Sequence, residues 1–297
     1  MRVFVTGASG FIGQAVVAEL VAAGHQVTGL ARSDAAAARI EQLGAVVRRG
    51  DLDDLPGIRT GAEKADGVVH LANKHDFVDL AASNRAERAA VETISQALAG
   101  SDRPFVLAAG LVFFGLGRPA TEVDRAPYHG VDSPRGGAEN LALEFVDRGV
   151  RVVSARFAPT VHGEGDHGFV AVVADAARRR GTSVHPGDGV NRWPAVHRSD
   201  AARLVRLGLE QAPAGSVLHA VAEEGIPVRV IAEALAARLG VPTGSVPAEQ
   251  LAEELGFIGA VLAADVPASS VATRALLDWA PTGPTLLEDI AAGHYDR

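Results

Sequence analysis

The sequence predicts an α/β fold, a doubly wound parallel sheet followed by a smaller C-terminal substrate region. Three observations predict it. Short apolar, β-branched runs alternate with helical periodicity over the first half of the chain. A glycine-rich turn joins the first run to the first helix. The 297 residues are 47% hydrophobic, enough to bury a sizeable core.

In order, residues 2–6 read as a strand. Residues 11–23 read as a helix that carries Ile12, Val16, Leu20 and Ala23 at helical spacing and stops at Gly24. Residues 26–31 are strand-like, 34–43 helical and 45–49 a strand. The run GVVHL at 67–71 is apolar throughout, as expected of a strand covered on both faces. A long helix is predicted over 79–99, a strand over 105–109, a helix over 136–148 and a strand over 150–157. Beyond Pro159 the texture changes. Residues 161–168 and 185–198 are rich in Gly, His and Pro, with little periodicity. Helices are expected at 169–180, 199–211, 228–239 and 247–255. A Pro-punctuated turn, LLDWAPTGPTLLEDI, leads into a last short helix. The expected division is a nucleotide-binding domain over 1–160 and a substrate-binding region over 161–297, partly interleaved with it. No repeat or flexible linker separates the two.

Composition excludes several functions. With no cysteine there is no disulfide framework, thiolate metal site or cysteine nucleophile. No apolar run reaches the ~18 residues of a membrane span, and the N-terminus enters a strand at once, so a cytoplasmic protein without a signal peptide is expected. The net charge of −8 offers nucleic acid no basic surface. Arg178-Arg179-Arg180 reads as a solvated helix end.

Thr6-Gly7-Ala8-Ser9-Gly10-Phe11-Ile12-Gly13 carries the strongest functional signal. Glycine permits the sharp strand-to-helix turn and lets a diphosphate approach the backbone. The free N–H groups and the helix dipole then favour phosphate. The alternative is an ordinary tight turn. Gly7, Ser9, Gly10, Phe11, Ile12 and Gly13 are accordingly the predicted diphosphate site. At the end of the second strand an acid would accept from the ribose 2′-OH of NAD. The segment here is Gly29-Leu30-Ala31-Arg32-Ser33, and Asp34 comes too late. Arg32 with Ser33 suits a 2′-phosphate instead, which favours NADP(H) over NAD(H); otherwise Arg32 is a solvated loop residue. Asp51-Leu52 and Leu71-Ala72-Asn73 follow the third and fourth strands, where ligands collect in such sheets. Asp51 either accepts from the adenine amino group or caps a turn.

The segments TGASGFIG, GDLDD, GVVHLAN, VRVVSARFAPTVHG, WPAVHRSDAARL and LLDWAPT, in this order, resemble the extended short-chain dehydrogenases/reductases. That group includes sugar-nucleotide epimerases and dehydratases, 3β-hydroxysteroid dehydrogenases and dihydroflavonol reductases. The resemblance implies a Rossmann domain carrying NAD(P) and a C-terminal region closing over substrate. It also implies a Ser or Thr after the fifth strand and a Tyr-x-x-x-Lys pair for proton transfer. Neither is present. Residues 105–115 carry no hydroxyl, and the helix segment reads YHGVDSPRGGAE. In one register Arg135 replaces Tyr and Glu139 replaces Lys. In the preferred one Val131 replaces Tyr and Arg135 replaces Lys. The chain thus looks like the atypical members, some of which carry His-x-x-x-Arg there.

Without that tyrosine, Arg135 is the predicted catalytic cation, holding a ribose or stabilising an alkoxide while water supplies the proton. Its own pKa, above ~12, makes it a poor proton donor. His162, in the polar cluster HGEGDH, is the candidate proton shuttle; the cluster otherwise reads as a structural loop, a substrate contact or a weak metal-ligand signal. Tyr128 and His129 precede the lost motif and either form an exposed loop or are drawn inward. Ala109, Pro159 and Val161 join the expected cofactor contacts. Lys74, His75, Gly110, Arg192 and His197 are the expected substrate contacts, and Trp193 either covers an aromatic ligand at the cleft edge or packs in the core. Ser199 or Asp200 is expected to cap the helical residues 201–211. No metal site is expected. The resulting expectation is an NADP(H)-dependent oxidoreductase acting on a small organic carbonyl or alcohol. The alternatives are a non-redox NADP-binding protein, or an isomerase or lyase using the same cleft. A homodimer through helices 79–99 and 136–148 would leave exposed apolar stripes on both.

Overall fold

The computed structural model describes residues 1–74, 79–112 and 114–296. The first half alternates strand and helix: β1 (Arg2–Thr6), α1 (Phe11–Ala22), β2 (Gln26–Ala31), α2 (Asp34–Gln42), β3 (Val46–Arg49), α3 (Leu55–Lys64), β4 (Gly67–His70), α4 (Leu80–Leu98) and β5 (Pro104–Gly110). A 3-10 turn at Pro134–Gly137 leads into α5 (Ala138–Leu143), and β6 (Arg151–Phe157) and β7 (Thr160–His162) follow. The remainder comprises α6 (Phe169–Arg180), β8 (Ser183–Pro186), β9 (Arg192–His197), α7 (Arg198–Gln211), β10 (Ser216–Ala220) and β11 (Glu223–Pro227). It continues through α8 (Val228–Leu239), β12 (Thr243–Val246), α9 (Ala248–Leu255), α10 (Phe257–Ala263), α11 (Val271–Leu277) and α12 (Leu286–Ala291).

Seven parallel strands in the order β10-β6-β5-β4-β1-β2-β3 make the central sheet. The strand order reverses beside β1, where β1 pairs with both β2 and β4. That switch point opens a crevice at the carboxyl ends of the strands. One face of the sheet packs on α1, α2 and α7 through Val16, Val17, Leu20, Ile40, Leu204 and Val205. The other packs on α3, α4 and α5 through Ile58, Val91, Ile94, Leu98 and Ala142. Burying each such aliphatic side chain contributes about 1.5–3 kcal/mol. Helix α7 and strand β10 lie beyond residue 160 yet belong to this layer. A third core, around Trp193, Ile231, Leu235, Leu251 and Ile290, fills the C-terminal region.

The structure departs from the expected elements in three places. The helix expected over 136–148 is broken, because Arg135, Gly136 and Gly137 all take left-handed backbone angles with φ near +54 to +61°. Residues 185–198, read as irregular, contain β9 and the end of β8. Helix α3 was hidden by a proline and two glycines in LPGIRTGAEK, yet it forms with Asp54 accepting from the N–H of Gly57 at 2.9 Å. On α4 the outward residues include Arg85, Glu92 and Gln96, and Leu80 is the exposed large apolar side chain there among the described residues. Among the described residues no helix is long and apolar enough to cross a membrane.

Candidate active site

The glycine loop sits at the switch point, between the end of β1 and the start of α1. Gly7 has φ +69°, and a Cβ there would lie 2.7 Å from the backbone of Leu71 and Ala72. A Cβ on Gly13 would lie 2.0 Å from the Gly7 carbonyl oxygen. The N–H of Gly10 donates to that same oxygen at 3.0 Å and closes the turn. Gly10 caps α1 without a side chain, no acid stands in the first turn, and the N–H groups of Phe11, Ile12 and Gly13 take no backbone partner among the described residues. The turn is therefore a cradle of free donors at the positive end of a helix, and it fits a dinucleotide diphosphate.

Around it the other predicted contacts take these positions. Arg32, one residue past β2, is exposed and takes no hydrogen bond or ion pair among the described residues. Ser33 caps α2, its Oγ accepting from the N–H of Ala36 at 3.2 Å. Asp51 caps a turn, its Oδ1 accepting from the N–H groups of Asp53 and Asp54 at 2.9 and 3.2 Å. Leu52 is buried beside Leu30 in the second core. Leu71, Ala72 and Asn73 leave β4 half-buried, with Ala72 against Gly7. Ala109 and Gly110 end β5. Lys74 pairs with Asp53 at 2.8 Å; His75 lies outside the described residues.

Arg135 stands in the left-handed turn before α5. Its Nε donates to Oε1 of Glu87 at 2.8 Å, and a second guanidinium nitrogen closes on the same oxygen. Glu87 is 1% exposed, and its Oε2 accepts from Asn73 Nδ2 at 2.5 Å. Burial pushes the Glu87 carboxyl upward, against the pull of Arg135 and Asn73. Close by, His70 bonds Thr6 Oγ1 through Nδ1 at 2.8 Å, and its Nε2 is buried without a partner among the described residues. Burial, aided by the Arg135 charge, pulls His70 down to about 3, so it stays neutral. Glu139, the alternative to the family lysine, accepts from Ser154 Oγ at 2.9 Å and Arg156 Nε at 2.8 Å in the sheet interior. It serves packing, which leaves Arg135 as the side chain at the crevice. Tyr128 is half-buried and donates its phenol to the Val112 carbonyl at 2.9 Å, while His129 is exposed.

Two candidate site residues, His162 and Trp193, are buried. Side chains alternate along β7, so Val161 is half-exposed while His162 points to the opposite face. His162 is 0% exposed and bonded through Nδ1 to Asp289 Oδ2 at 2.5 Å. It anchors α12 and lines no open wall. Trp193 is 1% exposed, donates Nε1–H to the Val261 carbonyl at 3.0 Å and packs on Phe169. It is core, because its indole is spent on the backbone of α10. Arg192 pairs with Asp265 at 2.9 Å on a recess of about 590 Å³ between β8, β9 and α9. His197 caps α7 in place of Ser199 or Asp200, its Nδ1 accepting from the N–H of Ser199 at 3.3 Å. Asp200 is buried and accepts from the N–H groups of Thr282 and Gly283 at 3.0 and 2.7 Å. Pro159 is half-buried near β7. The C-terminal region reaches the glycine loop directly: Arg198 lies 5.2 Å over the Phe11 ring, and His167 meets that ring edge-on at 5.8 Å.

Glu87 escaped the sequence reading. Its signal was an acid on the inward stripe of α4, in line with Ser83, Ala90, Val91 and Ile94. Such a position demands a buried partner. Among the described residues no cluster of three or more His, Cys, Asp or Glu could hold a metal ion.

Comparison with known proteins agrees with this geometry. The family model described as "NAD dependent epimerase/dehydratase family" matches residues 3–102. An uncharacterised protein of Schizosaccharomyces pombe is 42% identical over 296 residues, 99% of this chain and 100% of that one. The 2'-dehydrokanamycin reductase of Streptomyces kanamyceticus is 31% identical over 270 residues, 86% of this chain and 72% of that protein. A dTDP-glucose 4,6-dehydratase double mutant from Streptomyces venezuelae, solved with NAD bound, superposes with a TM-score of 0.79 at 20% identity. That match covers 100% of this chain and 97% of the other, and shows the shared fold. The chain belongs to the NAD-dependent epimerase/dehydratase family of extended short-chain dehydrogenases/reductases.

Proposed function

We propose that the protein is an NADP(H)-dependent oxidoreductase acting on a small organic carbonyl or alcohol. The observation that carries the reading is the glycine cradle at the β1–α1 turn, with Arg32 exposed at the end of β2 and unpartnered among the described residues. The backbone of Gly7, Ser9, Gly10, Phe11, Ile12 and Gly13 would hold the diphosphate. Arg32, with Ser33, would take the 2′-phosphate. Asp51 and Leu52 would flank the adenine, and Leu71, Ala72, Asn73, Ala109, Pro159 and Val161 would line the rest. When bound, the nicotinamide gives or takes a hydride at the substrate carbon.

Arg135 would hold the nicotinamide ribose and act on the substrate oxygen. A guanidinium one-third exposed, with one nitrogen left over from the Glu87 pair, donates to an oxygen on which charge develops. Arginine does not release its proton, so water supplies the proton to that oxygen. Lys74, Gly110, Arg192 and His197 are the proposed substrate walls, with residues 161–297 as the substrate-binding region and 1–160 as the nucleotide-binding one. The sequence relationship to a reductase at 31% identity supports the redox direction.

The test is NADPH consumption, followed at its absorbance, against a panel of ketones and aldehydes. The proposal expects turnover with at least one of them. A second reading, a non-redox nucleotide-binding protein, draws on the Tyr128 phenol, which is tied to the Val112 carbonyl. Tight NADPH binding without turnover on any carbonyl would favour it.

A further inference from the structure

We infer that Glu87 is a positioning residue of the nucleotide site, one buried carboxylate that sets both Arg135 and Asn73 at the crevice. The inference rests on the NADP(H) reading above. The two oxygens of Glu87 divide the partners between them, Oε1 taking the Arg135 guanidinium and Oε2 the Asn73 amide. Those two partners come from separate segments that meet at the crevice. Asn73 lies just past β4, next to Ala72, which abuts Gly7 of the phosphate cradle. Arg135 lies in the left-handed turn that opens α5.

Helix α4 holds that turn at three points within about one helical turn. Asn84 Oδ1 accepts from the Arg135 N–H at 2.9 Å, Glu87 takes the side chain, and Arg88 donates to the Gly136 carbonyl at 2.8 Å. The fit is close, since a Cβ on Gly136 would lie 2.4 Å from the Asn84 carbonyl oxygen. The φ of +54° at Arg135 is unfavourable for a residue with a side chain, so it persists only where its surroundings fix it. A pair serving packing alone would be sealed at both ends. Here the carboxylate is sealed at 1% exposure and the guanidinium is 33% exposed, with one nitrogen unengaged among the described residues. The carboxylate therefore fixes a donor that keeps one nitrogen unengaged and part of its surface open.

The test is calorimetric titration of NADPH into wild type, Glu87→Gln, Arg135→Met and the double variant, each checked for folding by circular dichroism. A glutamine can accept at one oxygen but sets its own N–H₂ against the other donor. The expected result is about tenfold weaker NADPH binding by Glu87→Gln, with the double variant no weaker than Arg135→Met alone. Folded Glu87→Gln with wild-type NADPH affinity, or losses that add, would overturn the inference. Should Glu87→Gln fail to fold, Asn73→Ala and Arg135→Met replace it. Their losses are expected to combine to less than their sum, and full additivity would overturn the inference. If wild type binds neither NADPH nor NADH, the nucleotide reading itself fails and the inference with it.

Discussion

The carbonyl oxygen of Gly7 lies 2.0 Å from the place a Cβ on Gly13 would occupy. These two glycines thus let β1 turn into α1 with its first N–H groups still free. Any side chain at residue 13 would push α1 off the loop that the diphosphate is expected to meet. Gly13→Ala should abolish measurable NADPH binding and destabilise the fold by about 1–3 kcal/mol, as overpacking does. Nucleotide titration and urea melts check both. Wild-type affinity in that variant would show that the cradle is not used.

Arg32 should set cofactor choice. A charge-assisted hydrogen bond to a phosphate is worth about 1.5–3 kcal/mol. Arg32→Ala should therefore lose about ten- to a hundredfold in NADPH affinity and leave NADH binding unchanged. Parallel loss for both nucleotides would mean that Arg32 acts on something other than the 2′-phosphate.

The buried Arg156–Glu139 pair should matter to stability and not to chemistry. Both groups are nearly sealed from water, and Arg156 also donates to the Asp124 carbonyl at 2.7 Å. Glu139→Ala leaves a buried cation unpaired and should cost about 3–5 kcal/mol, read in a denaturant titration. A loss of turnover with unchanged stability would return Glu139 to the catalytic site.

Acid should weaken the fold through its buried histidines. Burial holds folded His70 at about 3 and His219 at about 4, against an ordinary 6.5. Between pH 6.5 and about 4 the unfolded chain takes up protons that the folded chain refuses, so stability falls as pH falls. Each histidine should remove about 2 kcal/mol between about pH 6.5 and 5. Urea melts at neutral pH and near pH ~5 measure the sum, and His70→Gln should flatten the slope. Equal stability at the two pH values would show that neither histidine is buried as a neutral ring.

The central sheet was legible because its strands are short continuous apolar runs, GVVH in β4 being the clearest, and because glycine punctuates the β1–α1 turn. Strand β9 was not legible. RWPAVH carries a proline, an arginine and a histidine, and its buried stretch exists only because β7 and β11 flank it. The broken helix after Pro134 turned on Gly136-Gly137, whose left-handed angles go with the close packing of Gly136 on α4 and of Gly137 on the backbone of His129 and Gly130. His162 drew attention by its type, but a three-residue strand does not announce which face a residue takes, and Asp289 is 127 residues away. Glu87 was hidden for the same reason: its partner Arg135 is 48 residues distant, so the pair exists only in the folded chain.

The most direct measurement is calorimetric titration of the wild-type protein with NADPH and, separately, with NADH. The account predicts one site per chain and tighter binding of NADPH by about tenfold or more, as expected for one arginine–phosphate contact. Binding of neither nucleotide, or NADH bound as tightly as NADPH, would contradict it.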